Sequence, residues 1–191
     1  MSTWSYSFET RLVERLSRMQ SSERAALRRS LAFPPGENIP AMRVIEAYFS
    51  EKDESRRKAS YLVAGLFADL WRPLQPGEVF RDAEHSITIG VAGRHYLARK
   101  LDASKPAIER RFLTILDTEI DGLRAHLRPI LRLMASDGQT WSWVRLFSDI
   151  ARWDSTSGSV QLGWAKDFFR VNAGLLDKSD EITLSTTTKK D

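Results

Sequence analysis

Cysteine is absent from the chain, which excludes disulfide staples and thiolate metal sites and gives no sign of an oxidising compartment. Histidine is nearly as scarce: His85, His95 and His126 are dispersed, and none forms a pair at a metal-binding spacing. No apolar run approaches the roughly 18 residues needed to cross a bilayer. The N-terminal stretch reaches Glu9 and Arg11 without the apolar core of a secretory signal, so a soluble, cytoplasmic protein is expected. No serine occupies a nucleophile-elbow motif. Gly90-Val91-Ala92-Gly93 is a lone G-x-x-G with no flanking strand to make it a phosphate loop or RNA clamp. No active site, cofactor site or metal site is therefore expected.

What is present is helical periodicity and arginine. The 191 residues are enough for one large or two small domains with a core. Phe8, Leu12, Val13, Leu16 and Met19 line one side of a first helix, and a second is expected from Ser22 to about Leu31. Phe33-Pro34-Pro35-Gly36 stops it, and Asn38 with Pro40 starts a third helix carrying Val44 and Ile45. From Asp53 to Trp71, Ala59, Leu62, Val63, Leu66, Phe67 and Leu70 form a stripe at helical spacing. The segment from Pro73 to His85 reads as a long loop. The alternating run 86–89 lacks a partner strand and reads as the entry to a helix from about Gly90 to Leu101. Ser104 and Pro106 open the next helix, with Ile108, Phe112 and Ile115 inward. A further helix spans roughly Asp121 to Ala135, where Pro129 is expected to cause a kink.

The segment from Trp141 to Arg170 organises the rest. Trp143, Leu146, Phe147 and Ile150 recur on one helical face behind Thr140 as N-cap, leaving Arg145 and Arg152 free. Val160, Trp164 and Phe168 repeat every four residues behind Ser159. The two aromatic faces are expected to pack together. The expected fold is all-α, two small packed helical bundles, divided as 1–103 and 104–172, with a mobile polar tail over 173–191.

The helix containing Trp143, then Asp149, Trp153, a polar turn and Trp164-Ala165-Lys166-Asp167-Phe168 resembles the C-terminal signature of the CasB family. These are the small subunits of type I-E CRISPR surveillance complexes, or Cascade. Ala26-Leu27-Arg28-Arg29, Ile39-Pro40-Ala41 and Ile108-Glu109-Arg110-Arg111-Phe112 occur upstream in the family's order, so the resemblance covers roughly residues 25–170. It implies a structural subunit that binds the guide RNA and target DNA region, stabilises the opened duplex, and meets other Cascade subunits and a second copy of itself. Membrane contact is not expected.

The composition suits that role. The formal net charge is +4, carried by 21 Arg against 8 Lys, and the guanidinium fork fits phosphate oxygens. The arginines at 11, 15, 18, 24, 28 and 29 face only Glu9, Glu14 and Glu23. The family's basic positions fall on Arg28, Arg29, Arg110 and Arg111, with Arg43, Arg94, Arg128 and Arg152 as further candidates. Arg24 and Arg132 match no motif and serve as reference positions. A helical protein-interaction module whose arginines only solubilise it is the alternative. A hydrolase using Asp117, Glu119 and Asp121 ranks third, because those acids read better as helix N-terminal charge.

Overall fold

A computed structural model describes residues 8–48, 53–72 and 87–170. Among these residues every regular element is helical and no strand occurs. Helices α1 (Phe8–Ser17), α2 (Ser21–Ser30), α3 (Ile39–Ile45) and α4 (Glu54–Asp69) form the N-terminal part. The rest comprises α5 (Ile89–Ala98), α6 (Lys105–Leu116), α7 (Ile120–Ser136), α8 (Trp143–Ile150) and α9 (Ser159–Phe169). Short 3-10 turns follow α3 and precede α6. The starts are set by side chains that satisfy first-turn donors: Asn38 Oδ1 accepts from the Ala41 amide, Asp53 Oδ1 from Arg56, and Thr88 Oγ1 from Val91.

Two expected caps are corrected. Ser142, not Thr140, caps α8 through the Arg145 amide at 3.0 Å, so Trp141 lies outside the helix. Gly158, at φ +56, precedes α9 and Ser159 is already helical; the left-handed backbone of the turn favours glycine there. Helix α7 runs through Pro129 without ending. The proline is exposed, so the helix keeps its buried face, with Leu127, Ile130 and Leu131 around the break in hydrogen bonding. The expected loop over 73–85 and the tail over 173–191 lie outside the described residues.

One contiguous core runs from Leu12 to Phe168. Within it α2 packs mainly on α4, with α3 and α1 beside them, while α5 packs mainly on α9, with α6 and α7 alongside. Helix α8 lies on α4 and α1, whereas α9 lies on α5. The two aromatic C-terminal helices therefore do not close face to face as expected. They meet at one junction, where Trp153 and Trp164 stack edge to face at 5.0 Å, and otherwise serve different helix groups. The packing crosses residue 103 in both directions.

Candidate nucleic-acid interface

Helices α2 and α4 approach closely because Gly65 presents no side chain: a Cβ there would lie 2.6 Å from Leu31 Cδ2 and 3.2 Å from the Leu27 carbonyl oxygen. With Ala26, Leu27 and Ser30 turned inward on α2, Arg28 and Arg29 are left exposed at its C-terminal turn, without an ion pair among the described residues. Asp69 follows Gly65 by four residues and shares its face of α4. Across from them, α7 buries Leu123, Leu127, Ile130, Leu131 and Met134. Its Arg124, Arg128 and Arg132 fall at four-residue steps, forming one stripe along the helix edge.

Asp69 binds two of the three. Its Oδ2 accepts from Arg128 Nε at 2.9 Å and from Arg132 Nε at 2.8 Å, and its Oδ1 accepts from Arg128 Nη2 at 2.8 Å and Arg132 Nη2 at 2.7 Å. The carboxylate is only 1% exposed. The hydrogen bond from Arg128 above all, and with it that from Arg132, holds Asp69 well below the usual carboxylate range against the opposite pull of burial. The same bond raises Arg128 above the ordinary arginine value. Arg124 Nη1 donates to the Phe33 carbonyl at 2.9 Å, tying the turn after α2 to α7.

Arg28, Arg29, Arg128, Arg132 and Asp69 line one concavity, and Arg124, Arg128 and Arg132 line the next. The shared arginines make the two a single groove in which five guanidiniums outnumber one carboxylate. A groove of this kind suits a phosphate backbone, since it offers charge and fork-shaped donors without an apparatus for reading base edges.

Of the residues singled out from sequence, the structure brings Arg28, Arg29 and Arg128 together. Arg110 and Arg111 are exposed on α6, where Ile108 is buried and Phe112 stacks on Phe168 at 3.9 Å. Arg43 is exposed on α3. Arg94 on α5 donates weakly to the Arg170 carbonyl at 3.5 Å, and its Nε is buried without a partner among the described residues. Arg145 and Arg152 are not free as expected: both bind Asp149, at 3.0 and 3.2 Å. Arg132, taken as a reference position, lies inside the groove, and Arg124 was not singled out at all. The signal for both was the Arg124, Arg128, Arg132 spacing. Arg24 remains a sound reference, because its guanidinium lies over the Trp71 ring at 5.0 Å.

The other candidate chemistries resolve into structure. Gly90 and Gly93 are buried within α5 at points of close helix contact. Asp117 closes α6 while Asp121 lies in the first turn of α7, so no continuous helix aligns them, and Asp121 accepts from Lys58 at 3.3 Å. His95 and His126 are exposed, and His85 lies outside the described residues. Among the described residues no group of three or more histidines and carboxylates could hold a metal ion, and no helix is long and apolar enough to cross a membrane.

Comparison with known proteins covers most of the chain. Residues 23–169 match the family described as CRISPR-associated protein Cse2. A protein of that description from Thermus thermophilus is 31% identical over 179 residues, covering 90% of this chain and 96% of its own. The crystal structure of CasB from M. ruber superposes with a TM-score of 0.71 at 29% identity, over 93% of this chain and 99% of that one. A chain from a CRISPR RNA-guided surveillance complex gives a TM-score of 0.72 at 26% identity, over 90% and 97%.

Proposed function

Since this chain belongs to the CRISPR-associated Cse2 family, we propose that it is a non-catalytic subunit of a CRISPR RNA-guided surveillance complex, holding the guide RNA and target DNA region by its phosphates. The observation that carries this reading is the groove between α2, α4 and α7, with Arg28, Arg29, Arg124, Arg128 and Arg132 around a single carboxylate. Sequence discrimination in such complexes belongs to base pairing, so a helical subunit has only to offer positive charge in a suitable shape and so help keep the duplex open. Other subunits of the complex and a second copy of the chain are the proposed protein partners. Arg110 and Arg111, exposed on α6, extend the proposed contact beyond the groove; Arg43, Arg94 and Arg152 are secondary contacts.

The test is a pair of charge reversals. Arg28→Glu with Arg29→Glu should weaken binding to single-stranded and duplex DNA of any sequence, and should flatten the log–log salt dependence by roughly one unit per lost phosphate contact. Arg24→Glu, which disturbs a cation over Trp71 outside the groove, is the comparison. Equal losses from both would show that net charge alone drives binding. No loss from the Arg28 and Arg29 pair would favour the protein-interaction module, in which these arginines only face solvent.

A further inference from the structure

Asp69 is an unexpected occupant of a basic groove, since an exposed carboxylate there would repel phosphate. Its geometry gives it a different part. An arginine has five N–H donors, and Asp69 takes the Nε and Nη2 edge of Arg128 and the same edge of Arg132. The other three donors of each guanidinium, two on Nη1 and one on Nη2, remain uncommitted among the described residues. The carboxylate itself is hidden, 1% exposed, beneath two side chains that are 34% and 53% exposed. Two like charges four residues apart on a helix would otherwise repel and spread over many rotamers. Asp69 removes both problems.

We infer that Asp69 is a positioning residue for the groove, gripping Arg128 and Arg132 by one edge so that their other edges, beside Arg28 and Arg29, form a prearranged seat for a phosphodiester group. This rests on the proposed nucleic-acid binding. It differs from a simple charge model in sign. Asp69→Asn adds one positive charge, which in the absence of any prearrangement should tighten binding and steepen its salt dependence. With prearrangement lost, binding weakens instead. An asparagine offers one acceptor oxygen and turns amide hydrogens toward the guanidiniums, so it cannot accept both forks.

The experiment measures binding of the full chain to a fluorescent single-stranded DNA of mixed sequence, with melting curves to confirm folding. Asp69→Asn should bind about tenfold more weakly, the scale of re-ordering two rotamer-rich side chains. A second variant keeps the charge constant: Arg128→Lys with Arg132→Lys should weaken binding to a similar degree, because lysine cannot fork to Asp69 and still face a phosphate. Adding Asp69→Asn to the lysine pair should cause little further loss, which a merely structural role for Asp69 would not produce. If Asp69→Asn does not fold, the lysine pair decides alone. Tighter binding by Asp69→Asn, or wild-type binding by the lysine pair, overturns the inference while leaving the groove intact if Arg28→Glu with Arg29→Glu still weakens binding. No effect from that reversal overturns the groove and the inference together.

Discussion

Asp149 shows how a single buried side chain can join two helices that otherwise face different neighbours. It is 2% exposed and accepts from the Trp164 indole at 2.8 Å, from Arg145 Nε at 3.0 Å and from Arg152 Nη2 at 3.2 Å. Asp149→Ala strands the indole donor and should cost about 2–4 kcal/mol in denaturant melts. Arg145→Ala and Arg152→Ala should each cost less, about 1 kcal/mol, because those side chains are about half exposed and the loss of either leaves the other arginine on Asp149. Trp164→Ala removes a 2% exposed indole that also stacks on Trp153, for an expected loss of about 3–5 kcal/mol. Since Asp149 and Trp164 share a bond, the double variant should lose less than the two single losses together. Strict additivity would mean that the bond contributes no coupling.

At the level of helices, the tightest constraint is between α5 and α9. A Cβ on Gly90 would lie 2.7 Å from Asp167 Cβ and 3.0 Å from Trp164 Cα, and closer still to the Trp164 carbonyl. Backbone cannot step aside as a side-chain tip can. Gly90→Ala should therefore destabilise by about 1–3 kcal/mol despite alanine's better helix propensity. Gly163, within α9 and open around its Cα, is the contrast: Gly163→Ala should stabilise by about 0.4–1 kcal/mol. Thermal melts that moved in the same direction for both variants would defeat the close-packing account. This pair also marks what periodicity could reveal. The α6 set of Ile108, Phe112 and Ile115 was legible because burial there follows helical spacing directly, whereas α4 is buried continuously from Ala59 to Ala68, on more faces than its apolar stripe marks. The partner of each face was not legible, since α8 and α9 are both aromatic and nothing local tells α4 from α5. The G-x-x-G in α5 reads from sequence as part of a helix and no phosphate loop, but its packing role stays hidden because sequence records small residues and not the helix that presses on them. The groove was half legible: Arg28, Arg29 and Arg128 stood out, whereas Arg132 and the role of Asp69 depend on side chains of α7 reaching the end of α4.

The whole molecule is held at the junction of α7 with the α2–α4 group by polar contacts as well as by its shared core. Asp69 of α4 with Arg128 and Arg132 of α7, Arg124 with the Phe33 carbonyl, and Lys58 with Asp121 all join the α2–α4 group to α7. Asp69 gives this junction a definite pH dependence. Its folded-state pKa lies below the value of about 3.9 expected for an unfolded aspartate. The unfolded chain therefore takes up a proton first as the pH falls, so the contribution of Asp69 is fully present above the unfolded value and is lost on descent toward the folded one. Glu23 beside Arg15, and Asp137 beside Lys100, are shifted in the same direction by their hydrogen bonds. The melting temperature should accordingly be flat near neutrality and fall once the pH drops below about 4. Asp69→Asn should start lower and lose less over that acid range, because one of the titrating groups has been removed, while Glu23 and Asp137 keep part of the slope. Parallel curves for the variant and the wild type would show that Asp69 is not among the carboxylates whose protonation loosens the fold, and that the groove's arginines are held by packing rather than by this charge.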